Sequence, residues 1–427
     1  MSYPREKLKN FIDVLSGFAF KSKDFTSAGV PVIKIKNVTP PTVTLDDLSY
    51  VSKEIAQAQN RFLLNYADVL IALTGSHINQ MASVVGRVAR VRHQTPSLLN
   101  QRVGKITVIN PDEMDLDYVY YYLSQDLIKI QLASKAGGAA NQANISPSDV
   151  KNLDIPFPNI DVQRRISGIL SAYDNLIENN QKQIKLLEEA AQRVYKEWFI
   201  DLRFPGYEYT VIVDGVPEGW KKVPVGNLIS YEIGGGWGEE TPTGKCIREA
   251  YVIRGTDLYG IAHGDLLSIP FRYHVESNLS SRKLKDGDIV FEVSGGSRTE
   301  GVARCLLITS SMLNVWRKDV MCASFCKLIR PQFGFSQYLH DCIKHLRATG
   351  KTEEYDKRSA SSIVNYRWKD FLSQELVLRP SEEILDHYNG VAKEIYSKAI
   401  NCSLQIESAK KARDRLLPKL MSGEIEV

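Results

Sequence analysis

A chain of 427 residues is too long for one ordinary hydrophobic core, so two or three domains are expected. Hydrophobic residues at 43% and charged residues at 24% fit a soluble globular protein, and no apolar run approaches the roughly eighteen residues of a membrane span. The net charge of +4 divides into +3 over residues 1–160, zero over 161–200, +2 over 201–380 and −1 over 381–427, which permits nucleic-acid binding without requiring it.

The N-terminus carries Arg5, Lys7 and Lys9 and no signal-peptide core, so a cytoplasmic protein is expected. Residues 30–36, 69–73, 84–91 and 103–109 are short, β-branched and bounded by Gly, Pro or Asn, the pattern of strands. Residues 118–132 read as helix. A long amphipathic helix then covers residues 161–200. Its seam alternates steps of four and three through Ile166, Leu170, Tyr173, Ile177, Asn180, Ile184, Leu187, Ala191, Val194 and Trp198. At ~1.5 Å per residue such a helix is about 60 Å long. Asn180, the polar member, either fixes register or sits at a wet position. Pro205-Gly206 stops the helix, and residues 204–220, with Asp214-Gly215, read as a linker.

The pattern then repeats, near an offset of 220. The run from Tyr66 to Ser76 returns at Asp286 to Ser297, with Asp68 mapping to Asp288. Gly86 to Arg90 resembles Gly301 to Arg304, and Lys105 to Pro111 resembles Lys327 to Pro331. Strands are expected over 252–254, 289–293, 302–308 and 320–329, and helix over 337–346. A second seam follows through Ile384, Tyr388, Val391, Ile395, Ala399, Cys402, Ile406, Ala409, Leu416 and Leu420, with Arg413 interrupting it. The two long helices are expected to pair as one intramolecular coiled coil; the alternative lays each on its own globule.

Catalytic signals are weak. No phosphate-binding G-x-x-x-x-G-K-S/T loop or G-x-S-x-G elbow is present, and Gly234 to Gly238 lacks a strand–turn–helix setting. Asp288 and Glu292 share an apparent strand without the Lys that would complete a nuclease pattern. All six cysteines follow residue 201 at uneven spacings, as in a reduced protein. Cys322, Cys326, His340 and His345 approach zinc-finger spacing, but two cysteines four apart on one strand stand roughly 13 Å apart, too far to share a zinc.

Polar loops recur beside the strands of both copies. In the first they offer Lys21, Lys23, Thr74, Ser76, His77, Asn79, Gln80, Asn141, Gln142 and Asn144, with Lys36 at the end of a strand. In the second they offer Ser294, Ser297, Arg298, Lys351, Tyr355, Lys357 and Arg358, with Arg254 at the end of a strand. Carboxamides and guanidinium groups read base edges, while hydroxyls and ammonium groups suit phosphates, so these residues are the candidate DNA contacts.

These features together resemble the specificity subunit of type I restriction–modification systems. The resemblance is carried by Gly17-Phe-Ala-Phe-Lys21-Ser22, residues 31–37, Asp68 to Gly75, and Asn141-Gln-Ala-Asn144. It continues through Ile155-Pro156-Phe-Pro158, Gln163 to Ile166, Asp174 to Asn180, and Asp414 to Ile425. The second copy lacks the Gly-Phe-Ala-Phe-Lys run and has Ser359 to Asn365 in place of Asn-Gln-Ala-Asn.

The resemblance implies an α+β chain with an internal pseudo-twofold repeat. It gives target-recognition domains at 1–160 and 204–380, each followed by a spacer helix, at 161–203 and 381–427, the two helices pairing antiparallel. Each domain would read half of a split, asymmetric site in double-stranded DNA, with helix length as the ruler for the unread gap. The chain itself would be non-catalytic and bind no cofactor or metal. S-adenosylmethionine, ATP and Mg are expected in its partners, two adenine-methylating subunits and the restriction/translocase subunits of a prokaryotic cytoplasmic complex without membrane contact. Ile166, Leu170, Tyr173, Ile177, Asn180, Ile184, Leu187, Trp198, Ile395, Ile406, Leu416 and Leu420 are expected to build the spacer and its docking surface. A two-module coiled-coil protein scaffold without DNA specificity is the alternative.

Overall fold

Val69, Leu70, Ile71 and Ala72 are all buried, which places their strand inside a sheet covered on both faces. The sheet has six strands in the order Ile12–Ser16, Val103–Val108, Val69–Ala72, Val88–Arg90, Thr42–Val43 and Val38–Thr39. The chain enters the central strand through a tight turn. Ala67 takes φ +70°, and the Asp68 carboxylate accepts from the Asn65 amide at 2.8 Å and from Lys105 Nζ at 2.6 Å. A smaller sheet pairs Val30–Ile33 in parallel with Ser97–Leu99. The helix Leu116–Ser124 begins at Asp115, whose side chain accepts from the Tyr118 amide at 2.8 Å, and buries Tyr118, Val119 and Leu123 in the core.

The structure, a computed structural model, describes residues 3–75, 85–136, 143–295, 301–358 and 363–427. Its contacts divide into two units, one of residues 1–175 with 411–427 and one of residues 176–410.

The second unit repeats the first one's plan. Ile289–Glu292, all buried, lies between Cys326–Pro331 and Cys305–Leu307, with Ile229–Gly234 at the edge. Its entry turn has Gly287 at φ +82°, and the Asp288 carboxylate accepts from the Lys285 amide at 2.7 Å and from Arg330 Nη2 at 2.7 Å. A smaller sheet again holds a parallel pair, Arg248–Ile253 with Val320–Cys322.

Both long helices contribute to each unit. They span Ile160–Phe199 and Glu382–Ser422. In the first unit Ile166 and Leu170 share a core with Leu420 and Met421. In the second, Tyr195 and Phe199 pack with Ile384, Leu385, Tyr388 and Ala392, while Gln183 meets Cys402 at 3.5 Å. As the number rises along one helix it falls along the other, so the pairing is antiparallel. The seam residues Ile166, Leu170, Ile177, Asn180, Ile184 and Ala191 are buried, and Tyr173, Leu187, Val194 and Trp198 are half-buried.

Four expectations need correction. Val391 is 41% exposed, and Ala392 takes its place, because consecutive steps of four rotate the seam by one residue. Residues 320–329 form two strands in different sheets, Val320–Cys322 and Cys326–Pro331, joined by a turn in which the Cys326 amide donates to Ala323 O at 2.9 Å. A turn, not one extended strand, therefore sets the spacing of Cys322 and Cys326. Cys322 and Cys326 share one apolar core, where burial pushes both thiol pKa values up, Cys322 to about 12.

Residues 204–220 are more than a linker. Phe204 and Trp220 are buried with ring centroids 4.7 Å apart, and Asp214-Gly215, both at positive φ, turn a hairpin between Ile212–Val213 and Val216–Pro217. The repeat also shifts locally. The Gly86 amide donates to Ala72 O as the Ala303 amide does to Glu292 O, which pairs Arg87, not Arg90, with Arg304. Likewise Lys105 opposes Leu70 as Leu328 opposes Val290, so Lys105 matches Leu328 and not Lys327.

Candidate nucleic-acid interface

Each central strand ends in the same polar corner. After Val69–Ala72 the chain forms Thr74–Gly75, which pairs with Ala143–Asn144; after Ile289–Glu292 it forms Ser294–Gly295, which pairs with Val364–Tyr366. Thr74 Oγ1 donates to Asn144 Oδ1 at 2.8 Å, and Ser294 Oγ donates to Asn365 Oδ1 at 2.9 Å. Thr74 and Ser294 are buried, so their hydroxyls hold the corner instead of facing a ligand, which corrects the expectation for both. Asn144 is half-buried and also lies 3.5 Å from Arg102 Nη1. Asn365, its counterpart, was not singled out in the sequence, although its offset from Asn144 could have found it.

Ser76, His77, Asn79, Gln80, Asn141, Gln142, Ser297 and Arg298 lie outside the described residues. Lys21 and Lys23 are exposed near the first module's smaller sheet. Lys36 is exposed and paired with Asp47. In the second module Lys357 and Arg358 are exposed on Asp356–Arg358, which extends the corner as a third strand, and Lys351 pairs with Glu354 at 2.8 Å. Tyr355 must be corrected. It is 6% exposed in the core and its hydroxyl donates to Glu375 Oε2 at 2.8 Å, because its ring packs against Phe371.

Arg254 is exposed and forked onto Asp257, with Nε 2.9 Å from Oδ2 and Nη2 2.7 Å from Oδ1. It lines a 610 Å³ cleft with Trp237, Thr256, Ser294, Arg304 and Phe325. The cleft is not legible in the sequence because its walls come from five separate stretches. The two carboxylates of the central strand are engaged by the fold, Asp288 by Arg330 at 2.7 and 2.8 Å, and Glu292 by Arg304 at 2.6 and 2.8 Å. Among the described residues no cluster of three or more His, Cys, Asp or Glu could hold a metal ion. The groups presented are therefore hydrogen-bond donors, acceptors and cations.

The buried seam residues cannot themselves meet a partner; Ile166, Leu170, Ile177, Ile184, Ile406 and Leu420 face the helix pair or the modules. Within the second unit the pair's outer surface offers Leu176 and Leu186, 42% and 63% exposed, and a 400 Å³ groove bounded by Gln183, Leu186, Lys398 and Asn401. Arg413, which breaks the seam pattern, donates from Nη1 to Asp174 Oδ1 at 2.7 Å. The signal for that pair was an opposite charge on the first helix, 239 residues away.

Residues 5–189 match the family model described as the type I restriction modification DNA specificity domain. The chain is 26% identical to the type I restriction enzyme MjaIX specificity subunit of Methanocaldococcus jannaschii, over 99% of this chain and 93% of that one. It is 24% identical, with the same coverage, to the putative MjaX specificity subunit of that organism. Its fold resembles the crystal structure of a type I restriction–modification system S subunit from M. genitalium, with a TM-score of 0.55 and 14% identity over 99% of this chain and 96% of that one. No described helix is long and apolar enough to cross a membrane.

Proposed function

We infer that the chain is a type I restriction–modification specificity subunit, the DNA-reading component of such a complex. Each module reads one half of a split site in double-stranded DNA, and the two halves differ because the modules differ. The observation that carries this reading is the polar corner built twice, Thr74–Asn144 and Ser294–Asn365, at the end of equivalent central strands. Exposed Lys21, Lys23, Lys357 and Arg358 supply cations for phosphates, which position the protein, while base edges supply sequence information. A weak net charge suits a protein whose partners add further phosphate contacts.

Catalysis belongs to partners in this reading: adenine methylation with S-adenosylmethionine, and translocation and cleavage with ATP and Mg, in the prokaryotic cytoplasm. The exposed outer surface of the helix pair, with Leu176 and Leu186, is the docking face for the methylating subunits.

Mapping of modified bases in the genome of a host carrying this chain with its methylating subunits tests the assignment. The expected result is one bipartite, asymmetric motif, with no methylation or cleavage by the purified chain alone. Modification or DNA retention without sequence dependence would favour a protein scaffold.

A further inference from the structure

The short sequence Arg254-Gly255-Thr256-Asp257 forms a single 3₁₀ turn in which Asp257 captures the residue that opens it. The Arg254 amide donates to Asp257 Oδ2 at 2.9 Å, and the guanidinium adds Nε and Nη2 to the same carboxylate. Asp257 is buried, whereas the Arg254 side chain is 44% exposed. Asp257 occupies one edge of the guanidinium. The adjoining end edge carries Nη1 and the outer N–H of Nη2, two parallel donors on a plane that Asp257 fixes from the side. A flexible arginine would lose rotamer freedom on binding; this one has already lost it.

Arg254 borders the 610 Å³ cleft together with two accessible aromatic rings, Trp237 at 38% exposure and Phe325 at 57%, and the hydroxyl of Thr256. Gly255 is part of the design. A Cβ there would stand 2.5 Å from Glu292 Oε1, so a larger residue would displace the carboxylate that Arg304 holds.

The first module has the same turn with other contents, Lys34-Ile35-Lys36-Asn37. The Lys34 amide donates to Asn37 Oδ1 at 3.1 Å, but Lys34 Nζ donates to Ser49 Oγ at 2.8 Å and lies 4.0 Å from the Phe25 ring centroid. Its charge is a point held against its own module; that of Arg254 is a fork held at a cleft.

A rigid pair of parallel donors matches the O6 and N7 acceptors of guanine in the major groove, the commonest specific contact made by arginine. We propose that Arg254, positioned by Asp257, reads a guanine in the half-site of the second module. The proposal rests on the DNA-reading function given above and names the residue and base that carry part of it.

The test compares the wild-type chain with R254Q, R254K and D257N, each produced with the methylating subunits in a host without other DNA modification, by mapping modified motifs. The wild-type motif should contain a guanine in one half-site. R254Q and R254K should both relax that single position, with discrimination against other bases falling about 10- to 100-fold, while the other half-site stays the same. D257N should relax it less, as expected of a positioning residue. R254K retains the charge and a partner for Asp257, so it tests the fork even if R254Q folds poorly.

An unaltered motif in R254K would overturn the proposal. So would uniform weakening across all sequences in R254Q, with the salt dependence of DNA binding lowered by about one counterion, since that marks a phosphate contact. Absence of any bipartite motif from the wild-type complex would instead defeat the DNA-reading premise.

Discussion

The two modules share a strand order, an entry turn and a polar corner, yet each is fastened to the long helices by buried charge of opposite sign. In the first unit the module supplies a cation. Arg90 is 2% exposed, stacks on Tyr120 at 3.8 Å from the ring centroid, and pairs with Asp117 at 2.8 Å and Asp174 of the first helix at 3.5 Å. Asp174 also accepts from the Tyr121 hydroxyl at 2.6 Å and from Arg413 of the second helix. In the second unit the module supplies an anion. Asp341 is fully buried and accepts from Gln192 of the first helix at 3.1 Å and from the Tyr388 and Tyr396 hydroxyls of the second. A duplicated scaffold therefore does not require duplicated fastenings. Asp341 is met directly by both helices, whereas Arg90 reaches the second only through Asp174, so any chemically complete set of partners serves a buried charge.

The largest expected effect comes from D174A, which takes from Arg90 and Arg413 the carboxylate they share and leaves each with a single aspartate, Asp117 and Asp414. Removing one partner of a buried pair costs about 3–5 kcal/mol. Hydrogen exchange should show protection lost in residues 1–175 and 411–427 and retained in 176–410. D341N should do the reverse at about 2–3 kcal/mol, because an amide cannot accept from all its phenol and carboxamide donors. Equal loss of protection in both units for either variant would mean that the fastenings are not local.

Alkaline pH should separate the units further. Burial opposes a charged His340, but the Cys305 thiol beside it and the bond to Asp341 prevail and raise its pKa to about 9. A raised pKa contributes stability that is complete below the ordinary histidine value and lost as pH rises through about 9. The arginines of the first unit remain charged there, so urea unfolding at pH 7 and 9.5 should show loss in residues 176–410 alone.

On the acid side, burial of Glu188 is outweighed by its bond to His263 and the charge of Lys344, which bring it to about 2. That stability is complete above the ordinary carboxylate range and falls as pH drops toward 2. E188Q should lose about 1–3 kcal/mol at neutral pH and show a shallower acid transition. The smallest effects should be T74V and S294A, each about 1 kcal/mol; clearly unequal values by denaturant titration would mean that the corners are not equivalent.

Periodicity made much of this architecture legible. The seam from Ile166 to Trp198 is buried or half-buried throughout, because helical geometry fixes which residues share a face. The duplication was readable through Asp68 and Asp288, whose carboxylates close the same turn. Its local register was not. Arg90 and Arg304 look alike in sequence, but backbone hydrogen bonds match Arg304 to Arg87. The candidate contacts were legible only as polarity beside strands. That polarity could not distinguish Arg254 at a cleft from Tyr355 in a core or Thr74 behind a corner.

Sequence alone determined that there are two similar modules and two long helices, since repeats and heptads are properties of neighbours along the chain. Tertiary structure decided which polar groups face inward and what neutralises them. Arg413 reads as a flaw in its own helix, and only the approach of Asp174, 239 residues away, makes it a fastening. The physical reason is that the cost of a buried charge depends on the partners folding brings to it, and those partners lie on chain segments that no local pattern connects.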